Sequence, residues 1–156
     1  TNNFQIYGFD LSIMFQYSIG NDVYNATRMY TTMSDIRRGN TLAEVADRWR
    51  EDNASSKVHS AEGYIKYDIS SRFIEDGSFL RLKNVTLGYT LPENFTRKFY
   101  VSKLRVYASA QNLFCLTNYS GYDPEVNTLS SPLMPGFDWG AYPKSNVYTF
   151  GVELQF

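Results

Sequence analysis

At 156 residues, the chain has the length of one ordinary domain. It is 17% aromatic (13 Tyr, 11 Phe and 2 Trp) and 20% charged, with a formal net charge of -1. That balance argues against nucleic acid, which asks for a basic stripe. The single Cys115 excludes an internal disulfide framework and any cysteine-built metal site. No apolar run approaches the roughly 18 residues of a transmembrane helix, but barrel strands are shorter and alternate, so a membrane barrel stays open.

The chain opens on Thr1-Asn2-Asn3 without a signal peptide, as a mature product or a piece of something longer would. The first strong strand is predicted over residues 9–19. Phe9, Leu11, Ile13, Phe15, Tyr17 and Ile19 alternate with Asp10, Ser12, Met14, Gln16 and Ser18, a period of two that puts each set on its own face. Gly20-Asn21-Asp22 ends it with turn residues. A long polar connection follows to residue 77. A helix is expected within it from Thr41 to Trp49, where Thr41 with Glu44 makes a capping-box pattern and Leu42, Val45, Ala46 and Trp49 share a face.

The second strand, residues 79–91, has a broken phase. Val85, Leu87, Tyr89 and Leu91 agree, but upstream the same phase carries Arg81 and Lys83 while Leu80 and Leu82 take the other. Either a bulge shifts the register, or Arg81 and Lys83 sit at a lipid-headgroup rim, where cations cost little. Pro92-Glu93-Asn94 breaks the strand and opens a short connection. The third strand covers residues 103–113, with Leu104, Val106, Ala108 and Ala110 on one side and Arg105, Tyr107, Ser109 and Gln111 opposite. Residues 114–144 form another long connection rich in Gly, Pro, Asn and aromatics. The fourth strand, residues 147–156, sets Tyr148, Phe150, Val152, Leu154 and Phe156 against Val147, Thr149, Gly151, Glu153 and Gln155.

Connections that run long, short, long suit antiparallel barrel strands with external loops at 20–77 and 114–144 and a short periplasmic turn. Four strands cannot close a barrel, whose smallest examples have about eight. A membrane wall of this kind therefore requires further strands. A soluble or surface-attached β-sheet module, binding or adhering through its aromatic loops, is the alternative.

Three ordered motifs carry a family resemblance. Asp76-Gly77-Ser78-Phe79-Leu80-Arg81-Leu82-Lys83-Asn84-Val85-Thr86-Leu87-Gly88-Tyr89 is the first. Val106-Tyr107-Ala108-Ser109-Ala110-Gln111-Asn112-Leu113, running into Tyr119-Ser120-Gly121-Tyr122-Asp123-Pro124-Glu125, is the second, and Phe150-Gly151-Val152-Glu153-Leu154-Gln155-Phe156 completes them. Gly8-Phe9-Asp10-Leu11-Ser12 and Asp47-Arg48-Trp49 agree. Together they resemble the C-terminal part of SusC/RagA-like TonB-dependent outer-membrane transporters. The resemblance implies an all-β, antiparallel transmembrane segment, the last four strands of a barrel of about 22 strands. The plug domain and TonB box match nothing here. It further implies import of glycan or peptide oligomers, a SusD-like surface lipoprotein as partner, and energy from TonB–ExbB–ExbD through an N-terminal region outside this chain. Localisation would be the outer membrane of a Bacteroidetes-type bacterium, with Phe156 as the insertion signal.

Trp49, Tyr64, Tyr67, Tyr119, Tyr122, Phe137, Trp139 and Tyr142 fall in the external loops, as candidates for stacking on substrate or holding a partner. Packing among the loops themselves is the plainer role for any one of them. Asp123, Glu125 and Asp138 could gather around Ca²⁺, but their spacing is not that of an EF-hand and Asp123 before Pro124 is turn chemistry. No metal, cofactor or catalytic residue is expected. The lone His59 has no nucleophile that sequence can pair with it.

Overall fold

A computed structural model describes residues 1–32, 40–60, 69–131, 133 and 135–156. In chain order the elements are β1 (Asn2–Ile6), β2 (Phe9–Ser18), β3 (Asp22–Asn25), α1 (Ala26–Thr32), β4 (Ile74–Asp76), β5 (Phe79–Thr90), α2 (Glu93–Thr96), β6 (Lys103–Thr117), β7 (Phe137–Asp138) and β8 (Val147–Gln155). They form two compact units. One comprises residues 1–19, 78–117 and 143–156, and the other residues 20–77 and 118–142.

The first unit is a five-stranded antiparallel sheet of order β1-β2-β5-β6-β8. Its first strand was not marked by alternation in the sequence. Tyr7-Gly8 joins it to β2, with φ of 46° and 87°. Two successive left-handed residues make a type I′ turn, whose twist matches the strands it connects. The connections at this end of the sheet, Tyr7-Gly8 and residues 91–102, are both short. The long ones leave from the other end, where Ser18, Phe79 and Thr117 stand side by side.

The broken phase of β5 is a bulge. Met14 pairs with Asn84 but Phe15 pairs with Leu82, so Lys83 is the extra residue. At the same level β6 carries one residue more than β5, since the pairing steps from Leu82↔Phe114 to Asn84↔Gln111 past Lys83 on one side and Asn112 and Leu113 on the other. The extra residue reverses the parity of everything upstream. Leu80 and Leu82 thereby join Val85, Leu87 and Tyr89, and Arg81 moves to the polar face beside Gln16 and Cys115. Arg81 is buried, with its guanidinium 5.7 Å from the centre of the Phe79 ring.

The second unit holds two small apolar cores. Val23, Tyr119 and Val126 form one, with Ala141 against it. Ala26, Met29 and Phe73 form the other, with Tyr24 and Phe137 packed on it. A three-stranded sheet of order β4-β3-β7 runs between these residues. Where a helix was expected from Thr41 to Trp49, there is only a 3₁₀ turn at Ala43–Asp47, and the cap position makes no side-chain bond. Glu44, the acid of the capping-box pattern, instead grips Arg28 through both carboxylate oxygens, at 3.1 and 2.9 Å. A charge-assisted bidentate pair outcompetes a single backbone amide.

Candidate functional site

Cross-strand register sorts the sheet into rows. Ile6, Phe9, Tyr89, Val106 and Val152 are lateral neighbours, and so are Phe4, Leu11, Leu87, Ala108 and Phe150. Further rows are Ile13-Val85-Ala110-Tyr148, Phe15-Leu82-Phe114 and Tyr17-Leu80-Leu116. These side chains make one continuous apolar face across the strands. Most of the large ones are exposed, Phe150 at 81% and Tyr17 at 70% among them. The ten residues of β2 run roughly 33 Å. Tilted by about 45°, that is a height of about 23 Å, close to the roughly 25 Å apolar band of an outer-membrane barrel.

The opposite face is polar. Its middle is tied by side chains: Thr86 Oγ1 donates to Ser109 Oγ at 3.1 Å, and Ser109 Oγ donates to Asn84 Oδ1 at 3.1 Å. Toward the short-connection end, Arg105 makes two bonds to Asp10, from Nε at 2.9 Å and Nη2 at 2.6 Å, and a third from Nη1 to Glu153 at 2.9 Å. The guanidinium also lies over the Tyr107 ring, 5.1 Å from its centroid. The row Asp10-Gly88-Tyr107-Gly151 explains how this fits. The Asp10–Arg105 pair crosses above Gly88, and the Tyr107 ring lies on Gly151, leaving no room for a Cβ at either glycine. Gly151→Val should therefore drive Tyr107 off its seat at a cost of about 1–3 kcal/mol. A lower melting temperature of the purified protein would register it, and an unchanged one would mean that Tyr107 is free to swing away.

In the second unit, Glu75 gathers four donors. Ser120 N and Oγ approach at 3.0 and 2.9 Å, Arg28 Nη1 at 3.2 Å, and Asn25 Nδ2 at 3.2 Å. Asn25 Oδ1 also accepts from Arg28 N at 2.8 Å, capping α1. Burial pushes the Glu75 carboxyl up, but the bonds from Ser120, Arg28 and Asn25 outweigh it and hold the group below its ordinary value. Glu44 is held low chiefly by its bonds to Arg28, whose own pKa is raised in return.

The loop aromatics divide. Tyr119 is only 5% exposed and its hydroxyl donates to Asp138 Oδ2 at 2.6 Å. Burial first, and then Asp138, push the phenol well above its usual range. Phe137 stacks on Tyr24 at 5.8 Å. Both rings face inward. Trp49, Tyr122, Trp139 and Tyr142 remain exposed, with Trp139 resting edge-on against Tyr30. Tyr64 and Tyr67 lie outside the described residues.

Two of the acids weighed for Ca²⁺ accept hydrogen bonds from the protein. Asp123 Oδ1 accepts from Glu125 N at 2.9 Å, and Asp138 Oδ1 accepts from Thr27 Oγ1 and Ala141 N. Lys83 is the bulged residue, and Phe156 lies exposed just beyond β8. Sequence reading missed the Asp10–Arg105–Glu153 cluster and the Glu75 hub. Gly88 and Gly151, glycines inside strands, were the available signal for the first, since such glycines mark a close approach. The second joins residues up to 95 positions apart and left no local trace.

No family model matches the chain. It is 34% identical over 162 residues to TonB-dependent receptor P3 of Formosa agariphila, an alignment covering 99% of this chain and 16% of that protein. To TonB-dependent receptor SusC of Bacteroides thetaiotaomicron it is 31% identical over 158 residues, covering 100% of the chain and 14% of the relative. Its fold superposes on a chain of the RagAB peptide transporter structure with a TM-score of 0.79 and 31% identity, over 96% of this chain and 16% of that one. The chain thus spans about one-sixth of the length of the proteins it matches.

Proposed function

Since the chain belongs to the SusC/RagA-like family of TonB-dependent receptors, we propose that it forms one arc of the wall of an outer-membrane importer. The observation that carries this reading is the two-faced sheet. An exposed apolar side chain of Leu or Phe size forgoes about 1.5–3 kcal/mol relative to burial. Left in water, the rows would add nothing to folding and would form a contiguous apolar patch of a size that monomeric soluble domains rarely expose. Hydrocarbon recovers that energy, while the polar face with Arg105, Asp10 and Thr86 suits a wet lumen.

In this reading the short connections face the periplasm, and the loop unit of residues 20–77 and 118–142 lies outside the cell. The cargo is an oligomeric nutrient, glycan or peptide. A SusD-like lipoprotein serves as partner, with the exposed Trp49, Tyr122, Trp139 and Tyr142 as its candidate contacts or those of the cargo. TonB–ExbB–ExbD would act through a region outside this chain. The transport role leaves no task for a catalytic residue.

The test is the denatured mass and membrane fraction of the polypeptide that carries this sequence in native cells. The expected result is an outer-membrane species several times the 18.0 kDa of this chain, with an apparent mass that shifts on boiling. A soluble species of 18.0 kDa, monodisperse without detergent, would overturn the proposal.

A further inference from the structure

Trp139 is pinned at its backbone, while its side chain stays 49% exposed. Its backbone N–H donates to Thr128 Oγ1 at 3.1 Å. The residue before it, Asp138, is buried and accepts from the Tyr119 hydroxyl, Thr27 Oγ1 and Ala141 N. The residue after it, Gly140, has a left-handed φ of 64° and donates its N–H to the same Thr27 Oγ1 at 2.6 Å. Tyr30, on α1, sets its ring edge-on against the indole, with 5.8 Å between centroids and 64° between planes. An indole held in this way has little freedom left to lose when a ligand covers it.

The surroundings choose the ligand. Residues 126–143 hold a single charged side chain, Asp138, and it is buried. Arg28, the cation of α1, is held by Glu44 and Glu75. An anionic polymer finds no ready counter-charge in either segment. A peptide adding to a sheet needs main-chain groups still to be paired. Here Thr128 N is bonded to Phe137 O, Ser130 N to Asn127 O and Gly136 N to Val126 O. Asn127 also closes its turn on Ser131 with both ends of its amide. What the surface offers is a flat ring with an N–H on its edge, beside the exposed hydroxyl of Thr128, which accepts from Trp139 N and keeps its own proton to donate. A neutral pyranose matches both. Its C–H groups lay a faintly positive face on the negative face of the indole, and its hydroxyls take the hydrogen bonds.

We propose that Trp139, backed by Tyr30 and flanked by Thr128, is a contact site for one sugar ring of an uncharged glycan. The contact itself stands on the loop unit alone. Its role, holding cargo, rests on the import reading above and names the cargo that this site takes.

Titration calorimetry tests it on the intact receptor, in a detergent without a sugar headgroup. The probes are neutral hexasaccharides of glucose, mannose, galactose and xylose in α and β linkages, beside a galacturonate hexamer and a mixture of hexapeptides. A neutral hexasaccharide should bind, and Trp139→Ala should weaken that binding about tenfold or more, as loss of a rigid aromatic anchor does. Trp139→Phe, which keeps a ring, should weaken it less. Both variants keep the seat, since the bonds around it come from the main chain, Thr27, Thr128 and Asp138. Neutral binding unchanged in Trp139→Ala overturns the site and leaves the import reading standing, even where a copurifying protein is lost with the indole. Binding of the charged hexamer or the peptides alone, or of no probe, overturns it as well. If neutral binding falls with Trp139 but the protein fractionates as soluble, the import reading fails and the contact stands.

Discussion

Tyr148→Arg is expected to destabilise the receptor by about 2–4 kcal/mol, whereas Thr149→Arg, one residue along, should be close to neutral. Tyr148 stands in the middle apolar row with Ile13, Val85 and Ala110, and Thr149 stands in the polar row with Ser109 and Thr86. Both side chains are exposed, so loss of protein packing cannot separate them. Only the medium outside differs. At mid-depth, an arginine on the lipid side must drag its guanidinium toward a headgroup or thin the bilayer, while on the lumen side it enters water. Urea titration of refolding into lipid vesicles, with intact receptor, measures the difference. Equal midpoints for the two variants would mean that the apolar face does not meet hydrocarbon.

Glu75→Ala should be the most damaging change in the loop unit, at about 3 kcal/mol, because it removes the acceptor of four hydrogen bonds at once. It leaves Arg28 with Glu44 alone and strips Ser120 of the bonds that tie the segment after β6 to α1 and β4. Glu44→Ala removes a partner about one-third exposed and should cost about 1 kcal/mol. Amide exchange over residues 20–32 of the intact receptor reads the two side by side. Similar protection in both variants would show that Glu75 is not the hub.

The same pair gives a pH dependence with a definite sign. Both carboxyls have folded-state pKa values lowered from an ordinary 4.5. Their contribution is whole above that value and drains away as acid protonates the folded form, so the loops should open below about pH 4.5 and be indifferent between roughly pH 6 and 8.

Alternation alone pointed to β2, β5, β6 and β8, four of the five strands that carry the apolar face, because a sheet with one apolar and one polar side writes its period of two directly into the chain. Three features were not legible that way, each for a physical reason. β1 holds only Phe4 and Ile6 as large apolar residues, and its turn uses Tyr7-Gly8 where Asn-Gly would have announced a hairpin. The disturbance around Lys83 was visible as a broken phase, but choosing the bulge required both neighbouring strands, since parity is a property of pairing. The expected helix after Thr41 failed because Glu44 has a better partner 16 residues upstream. Among the loop aromatics, residue type could not distinguish Tyr119, sunk against Asp138, from Tyr122, three positions away and exposed. Burial is decided by the fold around a ring.

Among the described residues, the sheet ends on either side in a strand with one bare edge, β1 of five residues and β8 of nine. Each edge is a line of main-chain donors and acceptors waiting for a complement, flanked by a greasy surface. These are the ingredients of cross-β growth, in which one copy adds to the next at a spacing of about 4.8 Å. Made by itself in water, this polypeptide is therefore expected to pass into fibrils.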